Sequence, residues 1–191
     1  MLQRHELPCL DLTDDEIDRV VARVRELAPE IVLTHPPQDY MEDHTNTCRI
    51  LVTAAFVRGM RNFPCDPPTP PWDGPAVLYH GLPHGLRDGL RRLVRSGQFV
   101  DVAPVIEPKR QMLRQHRTQK DWLEASQGIG AYVQQMEAFA REVGRQSGRF
   151  ELAEGWRRHS HWGFAGPDDD PLSTLLGAAC WTDPGYEESC G

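Results

Sequence analysis

The sequence lacks any hydrophobic run that approaches the roughly 18 residues needed to span a bilayer. It also lacks a secretory hydrophobic segment near its first residue. Positive charge is not in excess, since 28 Asp and Glu outnumber 21 Lys and Arg for a formal net charge of −7. Non-specific nucleic-acid binding needs a basic face, which this balance disfavours. These absences predict a cytoplasmic protein that neither spans a membrane nor binds nucleic acid.

The five cysteines show no spacing typical of a metal ribbon or a redox motif, because no two of them form a Cys-x-x-Cys pair. An odd number of cysteines without a secretory segment indicates reduced thiols rather than disulfides. The cysteines are Cys9, Cys48, Cys65, Cys180 and Cys190. Cys48 is a weak candidate for a metal ligand, and the favoured interpretation is a small residue on the inner face of a helix.

The first part of the chain has the pattern of a strand, a helix and a second strand. Thr13 and Glu16 have the spacing of a capping box at a helix start, and apolar residues recur with helical spacing from Ile17 to Leu27. Ile31 to Leu33 is a short apolar run, as expected of a strand covered on both faces. Leu10 to Leu12 is interpreted as the end of an earlier strand. The crossover between these strands predicts a parallel sheet.

Further helices and strands are predicted downstream, but few strands. Helices are expected at about 43–59, 104–125 and 131–146, and strands at 76–79 and 99–102. The proline-rich segment 62–74 between them predicts an irregular loop. Only two or three strands are visible, which is few for a stand-alone parallel sheet with helices on both faces. We therefore predict an α/β fold, a partial Rossmann-like three-layer domain with a parallel sheet whose first strands are missing.

The loop that follows the strand at 31–33 concentrates residues that bind metals and transfer protons. It contains His35, Asp39, Asp43 and His44. In α/β sheets the ligand site lies at the carboxyl ends of the strands, which is where this loop begins. Histidine and aspartate are typical ligands of a catalytic zinc, although such a site normally takes three protein ligands. The loop therefore predicts part of a site for metal-assisted chemistry.

Each of these residues also has a purely structural interpretation. His44 at a helix start would bond a backbone group, and Asp43 would cap the helix. Asp39 would form a turn by bonding nearby amides. His35 would satisfy the end of the strand, and we favour this interpretation over a metal contact.

Three segments in order resemble the PIG-L/LmbE family of zinc-dependent N-acetylglucosaminyl deacetylases. They are the Thr34–His44 loop, the segment Glu107–Gln119 with Thr118 where the family has Ser in His-x-Ser-Gln, and Glu154–His159 with Trp156 where the family has Phe in Glu-x-Phe-x-x-His. The resemblance covers roughly Leu7 to Leu176. It implies a Rossmann-like fold and the hydrolysis of an acetamido group on an amino sugar or its conjugate, by a water that a metal and an aspartate activate.

The resemblance also implies roles for residues of this chain. His44 matches the family's third zinc ligand, and Asp43 matches the aspartate before it, which is expected to orient a histidine during catalysis. Independently of the resemblance, Asp39 and Tyr40 at the mouth of the site are expected to contact the substrate. Arg157 and His159 are expected to hold a polar group of the substrate, with a surface pair as the alternative. Zinc is the expected ion, although histidine and aspartate ligands also accept iron or manganese.

Two features depart from the family. The family's first motif, His-Pro-Asp-Asp-Glu, supplies two zinc ligands and the general base, and it does not occur in this sequence. Met41 stands where the family has a histidine that is thought to stabilise the tetrahedral intermediate, and a thioether is at best a weak acceptor. The histidines that could replace it are His80, His84, His116 and His159, among which the sequence does not choose.

Two main functions therefore remain open. In the first, 1–166 is the C-terminal portion of a deacetylase domain that is truncated or has a mis-assigned start, and the chain alone is inactive. In the second, the chain is an inactive remnant that binds a second copy or a partner chain at an open sheet edge. A split enzyme whose partner supplies the missing strands ranks last. Residues 167–191 are predicted to be an acidic, Gly-rich and loosely ordered tail.

Overall fold

The structure, a computed structural model, describes residues 13–115 and 132–189. The α-helices in these residues are α1 (Asp14–Leu27), α2 (Glu42–Val57), α3 (Ile106–Arg114), α4 (Tyr132–Ser147), α5 (Pro171–Leu176) and α6 (Tyr186–Ser189). The strands are β1 (Ile31–Thr34), β2 (Val77–Gly81), β3 (Gln98–Asp101), β4 (Ala153–Arg158) and β5 (Cys180–Thr182). Short 3-10 helices occupy His84–Leu86, Ala103–Val105 and Gly177–Ala179. Across the described ranges, no helix combines the length and apolar character that a membrane crossing requires.

The five strands form one open sheet in the order β1-β2-β4-β3-β5. β1 and β2 are parallel, from Ile31 opposite Val77 to Thr34 opposite His80. β4 is antiparallel to β2, and β5 is antiparallel to β3. The predicted α/β class with a Rossmann-like arrangement is confirmed. The sheet is mixed rather than parallel, because β4 is antiparallel to β2 and β5 is antiparallel to β3.

Both antiparallel additions lie in segments where no strand was predicted. β4 has the sequence Ala-Glu-Gly-Trp-Arg-Arg, which contains no β-branched residue and therefore little strand propensity. β5 is only three residues long. The expectation of a loosely ordered tail from residue 167 is corrected by the structure, since 171–189 contain α5, β5 and α6. The backbone bonds between β5 and β3 order a segment whose composition alone suggested disorder.

The chain divides into two compact units. The first consists of Met1–Val94 and Trp156–Leu175, and the second of Arg95–Gly155 and Leu176–Gly191. β4 contributes its first half to the second unit and its second half to the first. The predicted boundary between residues 166 and 167 remains a prediction.

In the first unit, α1 and α2 pack together beside the parallel strands. The predicted capping box is present, because the Thr13 hydroxyl accepts the Glu16 amide and the Glu16 carboxylate accepts the Thr13 amide, both at 3.3 Å. The two helices share a cluster of apolar side chains formed by Val21, Val24, Ala54 and Val57. A second cluster, Val32, Ala55, Ala76, Leu78 and Phe164, joins α2 to β1 and β2. α2 therefore covers the face of the sheet on which Val32 and Leu78 lie.

Two buried arginines fix the loops of this unit. Arg25 and Arg58 are 6% and 7% exposed, and neither forms an ion pair among the described residues. Their guanidinium groups donate to backbone carbonyls instead. Arg25 reaches the carbonyls of Arg58, Met60 and Thr69, and Arg58 reaches those of Ala55, Gly74, Gly163 and Phe164. The proline-rich loop 62–74, irregular as predicted, is held by these bonds.

The second unit pairs β3 with β5 and packs α4 alongside. Val102, Ala140 and Leu152 form its apolar cluster. Arg110 on α3 donates to Glu137 on α4 at 2.6 Å, and Lys109 donates to Glu154. α3 is the described part of the helix predicted at 104–125. His116 and Gln119 lie outside the described residues.

Candidate functional site

The loop predicted to carry the site lies in the first unit and joins the carboxyl end of β1 to α2. α2 begins at Glu42, and Met41 is its N-cap residue, whose side chain makes no capping bond. Asp43 therefore lies inside the first turn and does not cap the helix, which corrects its structural interpretation. An acidic first turn, with Glu42 and Asp43, suits the positive end of the helix dipole.

Asp39 is the residue that orients His44. Its Oδ2 atom lies 3.1 Å from Nδ1 of His44, and its Oδ1 atom accepts the Met41 amide at 2.9 Å. The Asp39 side chain is 1% exposed, whereas that of His44 is 29% exposed. A carboxylate can only accept, so Nδ1 of His44 carries the hydrogen and, in the neutral ring, Nε2 is left with a lone pair. A carboxylate that holds one nitrogen of a histidine in this way is typical of histidines that bind metals or transfer protons.

The sequence had predicted this orienting role for Asp43 and a substrate contact for Asp39. Asp43 keeps its place beside His44 in the chain, but the bond to the imidazole comes from Asp39, five residues before it. Spacing along the chain could not reveal this, because the conformation of the loop brings Asp39 back to the helix start. The expected substrate contact of Asp39 stays a prediction.

His35 stacks on His44, with ring centroids 4.1 Å apart and planes within 10°. The backbone carbonyl of His35 has a different partner, Nδ1 of His80, at 2.9 Å. His35 thus connects the Asp39–His44 pair with a second group of histidines on β2 and β4. Burial lowers the pKa of the His35 imidazole, and the neighbouring His44 lowers it further.

His80 and His159 form a buried hydrogen-bonded pair. Nε2 of His80 lies 2.9 Å from Nδ1 of His159, and His80 is 4% exposed. Because a carbonyl only accepts, Nδ1 of His80 donates to His35, and Nε2 of the neutral ring accepts from His159. Burial is the main cause that lowers the pKa of both imidazoles. Burial of the pair therefore favours the neutral form of both imidazoles.

Cys48 belongs to this buried group and not to a metal centre. Its Sγ atom lies 3.5 Å from Nδ1 of His80. Burial raises the pKa of the thiol to about 11, in spite of the nearby Arg157. The thiolate is the form that binds metals and attacks substrates, so burial disfavours both roles for this thiol near neutral pH. The interpretation of Cys48 as a small residue on the inner face of a helix fits its 2% exposure.

The two groups of histidines are neighbours along α2. His44 and Cys48 are four residues apart in the helix, which places them on one side and about one turn, roughly 6 Å, apart. Since Cys48 contacts His80, the Asp39–His44 pair lies about one helical turn above His80, towards the carboxyl ends of β1 and β2. The candidate site therefore consists of two groups of histidines, His44 with His35 and His80 with His159, about one helical turn apart along α2.

A row of residues crosses the sheet at the level of His80. Thr34 is opposite His80 in the parallel pair, and His80 is opposite Arg157 in the antiparallel pair. Opposed residues share a face of the sheet, so all three point to the face that α2 covers. Two atoms of this row, Oγ1 of Thr34 and Nε of Arg157, are buried without a hydrogen-bond partner in the described structure. We call Thr34, His80 and Arg157 the cross-strand row.

Tyr40 lies at the outer end of the loop. It is 65% exposed, and its ring is tilted against that of His84 with centroids 6.0 Å apart. This position suits contact with a ligand that enters from solvent. The assignment of Tyr40 to substrate binding remains a prediction, as do those of Arg157 and His159.

The described residues do not form a complete metal site. Within 13–115 and 132–189, no three side chains of His, Cys, Asp or Glu are arranged so that they could hold one ion. His44 has the geometry of a single ligand, because Asp39 holds its other nitrogen. A catalytic zinc ion needs about three protein ligands, so it does not fit these residues alone.

Comparison with known proteins gives similarity of fold. No family model matches the chain, and no curated protein matches it. Among solved structures, the conserved protein TT1542 from Thermus thermophilus is 20% identical, with a TM-score of 0.58 over 80% of this chain and 61% of that one. GalB, the 4-carboxy-2-hydroxymuconate hydratase from Pseudomonas putida, is 19% identical, with a TM-score of 0.57 over 78% of this chain and 60% of that one.

The third similar structure is the N,N'-diacetylchitobiose deacetylase from Pyrococcus horikoshii, solved with an inhibitor. It is 17% identical, with a TM-score of 0.60 over 85% of this chain and 58% of that chain. This chain thus spans about three-fifths of the length of the solved structures that it matches. At these identities the likeness shows the fold alone, which is LmbE-like and includes both a deacetylase and a hydratase.

Proposed function

We propose that this chain carries part of the active centre of a metal-dependent amide hydrolase of the PIG-L/LmbE type. The reaction would remove the acetyl group from an N-acetylated amino sugar or its conjugate. The observation that carries the proposal is the Asp39–His44 pair, whose free Nε2 lies at the carboxyl end of β1. The LmbE-like fold supports it, since one protein with this fold is a diacetylchitobiose deacetylase.

His44 is the residue that would hold the metal, by Nε2. The other ligands would have to come from residues that the structure does not describe or from another chain, because the described residues offer no group of three. The role of Asp39 is to keep the hydrogen of His44 on Nδ1 and so to keep Nε2 available. Tyr40, which is 65% exposed, would contact the sugar at the mouth of the loop.

The test begins with the intact mass of the protein from its own source, followed by an acetate-release assay on that protein. N-acetylglucosamine conjugates would be the substrates, and Zn²⁺, Fe²⁺ and Mn²⁺ would be compared. We expect metal-dependent release that His44→Ala abolishes and that Asp43→Asn reduces less than Asp39→Asn does. Failure to release acetate with every metal would contradict the proposal.

The 191-residue chain by itself gives a second readout. We expect it to bind Co²⁺ or Zn²⁺ weakly, to lose that binding with His44→Ala, and to release no acetate, because affinity requires several ligands held together. Release of acetate by this chain, abolished by His44→Ala, would show that the centre is complete without further residues.

A non-catalytic function is the second candidate, and one observation favours it. Among the strands that the structure describes, β1 is at the edge of the sheet, and Leu33 on this strand is 50% exposed. An open strand edge with an exposed apolar side chain favours pairing with another chain. A 191-residue form that is the natural product, assembles into a stable oligomer and has no activity would support this candidate over the enzyme.

A further inference from the structure

Arg157 is a cation without a counter-charge among the described residues. None of the ion pairs that these residues form includes it. Its Nε–H group is buried and donates to no acceptor in the described structure. Leaving such a donor unsatisfied is costly, and more so for a charged group. The arrangement is therefore expected to have a compensating acceptor in the working protein.

Two neighbours of Arg157, His80 and Cys48, cannot supply that acceptor. Both His80 and Cys48 are close enough for the positive charge of Arg157 to act on their pKa values. His80 uses both nitrogens, one on the His35 carbonyl and one on His159. Cys48 keeps its proton, because burial raises the thiol pKa to about 11. Neither of these two neighbours therefore offers Arg157 a negative charge or a free acceptor, and an anion from outside would supply both.

The other end of the cross-strand row has the same deficiency. Thr34 is 8% exposed, and its hydroxyl makes no hydrogen bond in the described structure. Adjacent strands are about 4.8 Å apart, so the backbones of Thr34 and Arg157 are roughly 10 Å apart across His80. The long side chain of an arginine can cover most of that distance. A hydroxyl and a guanidinium are both donors, which together suit one group with two acceptor oxygens.

We propose that the cross-strand row binds a small carboxylate, with Arg157 as the main donor and the Thr34 hydroxyl as the second. The carboxylate is placed at the carboxyl end of β1 and β2, beside the Asp39–His44 pair. Acetate is the probe, and this choice rests on the proposed deacetylase function, in which acetate is the product. Direct binding of acetate needs no turnover, so the carboxylate site and the enzymatic function can fail separately.

The experiment is a titration of the 191-residue chain with sodium acetate, followed by ¹H–¹⁵N NMR of the arginine Nε–H signals. Sodium chloride at equal ionic strength is the reference. We expect one Nε–H signal, absent from Arg157→Gln, to move to lower field with acetate and not with chloride. Arg157→Gln is expected to weaken binding about tenfold or more, since hydrogen bonds to charged groups are the strong ones. Arg157→Lys should restore part of it.

Arg158→Gln is the matched control. Arg158 is the next residue of β4 on the opposite face, where it donates to the carbonyl of Asp169. This variant should bind acetate as the wild type does. Thr34→Val keeps the shape of the side chain and removes the hydroxyl, and it should weaken binding by a smaller factor than Arg157→Gln.

Each alternative result has a meaning. Equal weakening by Arg157→Gln and Arg158→Gln, or equal responses to acetate and chloride, would overturn the site, since only general charge would be at work. Unchanged binding in Thr34→Val would remove Thr34 from it. Deacetylase activity without acetate binding at Arg157 would overturn the site and leave the proposed function. Acetate binding by the 191-residue chain, with no activity in the protein from its own source, would leave the site and overturn the proposed function.

Discussion

Three arginines of this protein show two ways in which a guanidinium group is taken out of water. Arg25 and Arg58 follow the first, and Arg157 follows the second. The first two are more than nine-tenths buried, yet their hydrogens reach several backbone carbonyls each. The third is less deeply buried, but its Nε–H reaches nothing in the described structure. The first arrangement stabilises loops. The second leaves a donor unused, which is the usual mark of a site that trades stability for binding.

The largest effect is expected from breaking the first arrangement. Arg58→Met removes the guanidinium that donates to the carbonyls of Ala55, Gly74 and Gly163, whereas the Phe164 carbonyl keeps the Ala76 amide. Each unsatisfied buried group costs about 1–3 kcal/mol, so we expect a loss of about 3 kcal/mol or more in the free energy of unfolding. Urea denaturation measures it. Arg157→Met, in contrast, should stay within about 0.5 kcal/mol of the wild type or become more stable. Similar losses in both variants would refute the comparison.

A smaller loss is expected from the buried carboxylate. Asp39→Ala removes the acceptor of the Met41 amide and of His44 Nδ1, at a cost of about 1–3 kcal/mol. Asp43→Ala, in the first turn of α2, is the control and should cost less than about 1 kcal/mol. Thermal denaturation compares the two, and long-range ¹H–¹⁵N NMR reports which nitrogen of His44 carries the hydrogen. A mixture of tautomers is expected in Asp39→Ala, and an unchanged Nδ1–H form would argue against orientation by Asp39.

The buried histidine pair predicts a dependence of stability on pH. Burial lowers the pKa of His80 and His159 below the ordinary value of 6.5. The unfolded chain then binds more protons than the folded one below that value, so stability is complete above pH 6.5 and falls as the pH decreases through the folded-state pKa values. Urea denaturation at about pH 7.5 and about pH 5.5 measures the difference. His80→Gln should reduce it, and His161→Gln should leave it nearly unchanged; the opposite order would contradict the assignment.

The smallest effects concern the two helix starts. Thr13→Ala removes the capping box of α1 and should cost about 1 kcal/mol. Met41→Ser gives α2 a capping hydroxyl that it lacks, and should stabilise the protein by up to about 1 kcal/mol. Thermal denaturation of both variants tests the pair. Destabilisation by Met41→Ser would mean that the Met41 side chain contributes packing that outweighs a missing cap.

Local patterns explain the parts of the fold that the sequence predicts. The capping box at Thr13, the apolar run of β1 and the helical spacing of α2 all act within a few residues. β4 could not be predicted in this way, because a strand with two adjacent arginines depends on its neighbours in the sheet. Because β4 was not predicted, its antiparallel pairing with β2 was not predicted either.

The candidate site divides in the same manner. Its position, at the end of β1, follows from a rule on sheet topology and was predictable. The bond from His44 to Asp39 rather than to Asp43 was not, because it depends on the path of one loop. The cross-strand row was also out of reach, since β2 and β4 are separated by more than seventy residues of chain. Sequence could name His80 and His159 as candidates, but it could not show that they are bonded to each other.

His35 uses two parts of itself in the site, a ring that stacks on His44 and a carbonyl that accepts from His80. Only the ring depends on the identity of the residue. Any amino acid with the same backbone conformation offers the carbonyl, so a saturation library at position 35 should keep the His80 bond while it varies the stacking. Position 39 has no such freedom, because both of its contacts come from the carboxylate. Substitutions at position 35 should therefore be tolerated as far as the His80 bond is concerned, whereas position 39, four residues later, requires a carboxylate.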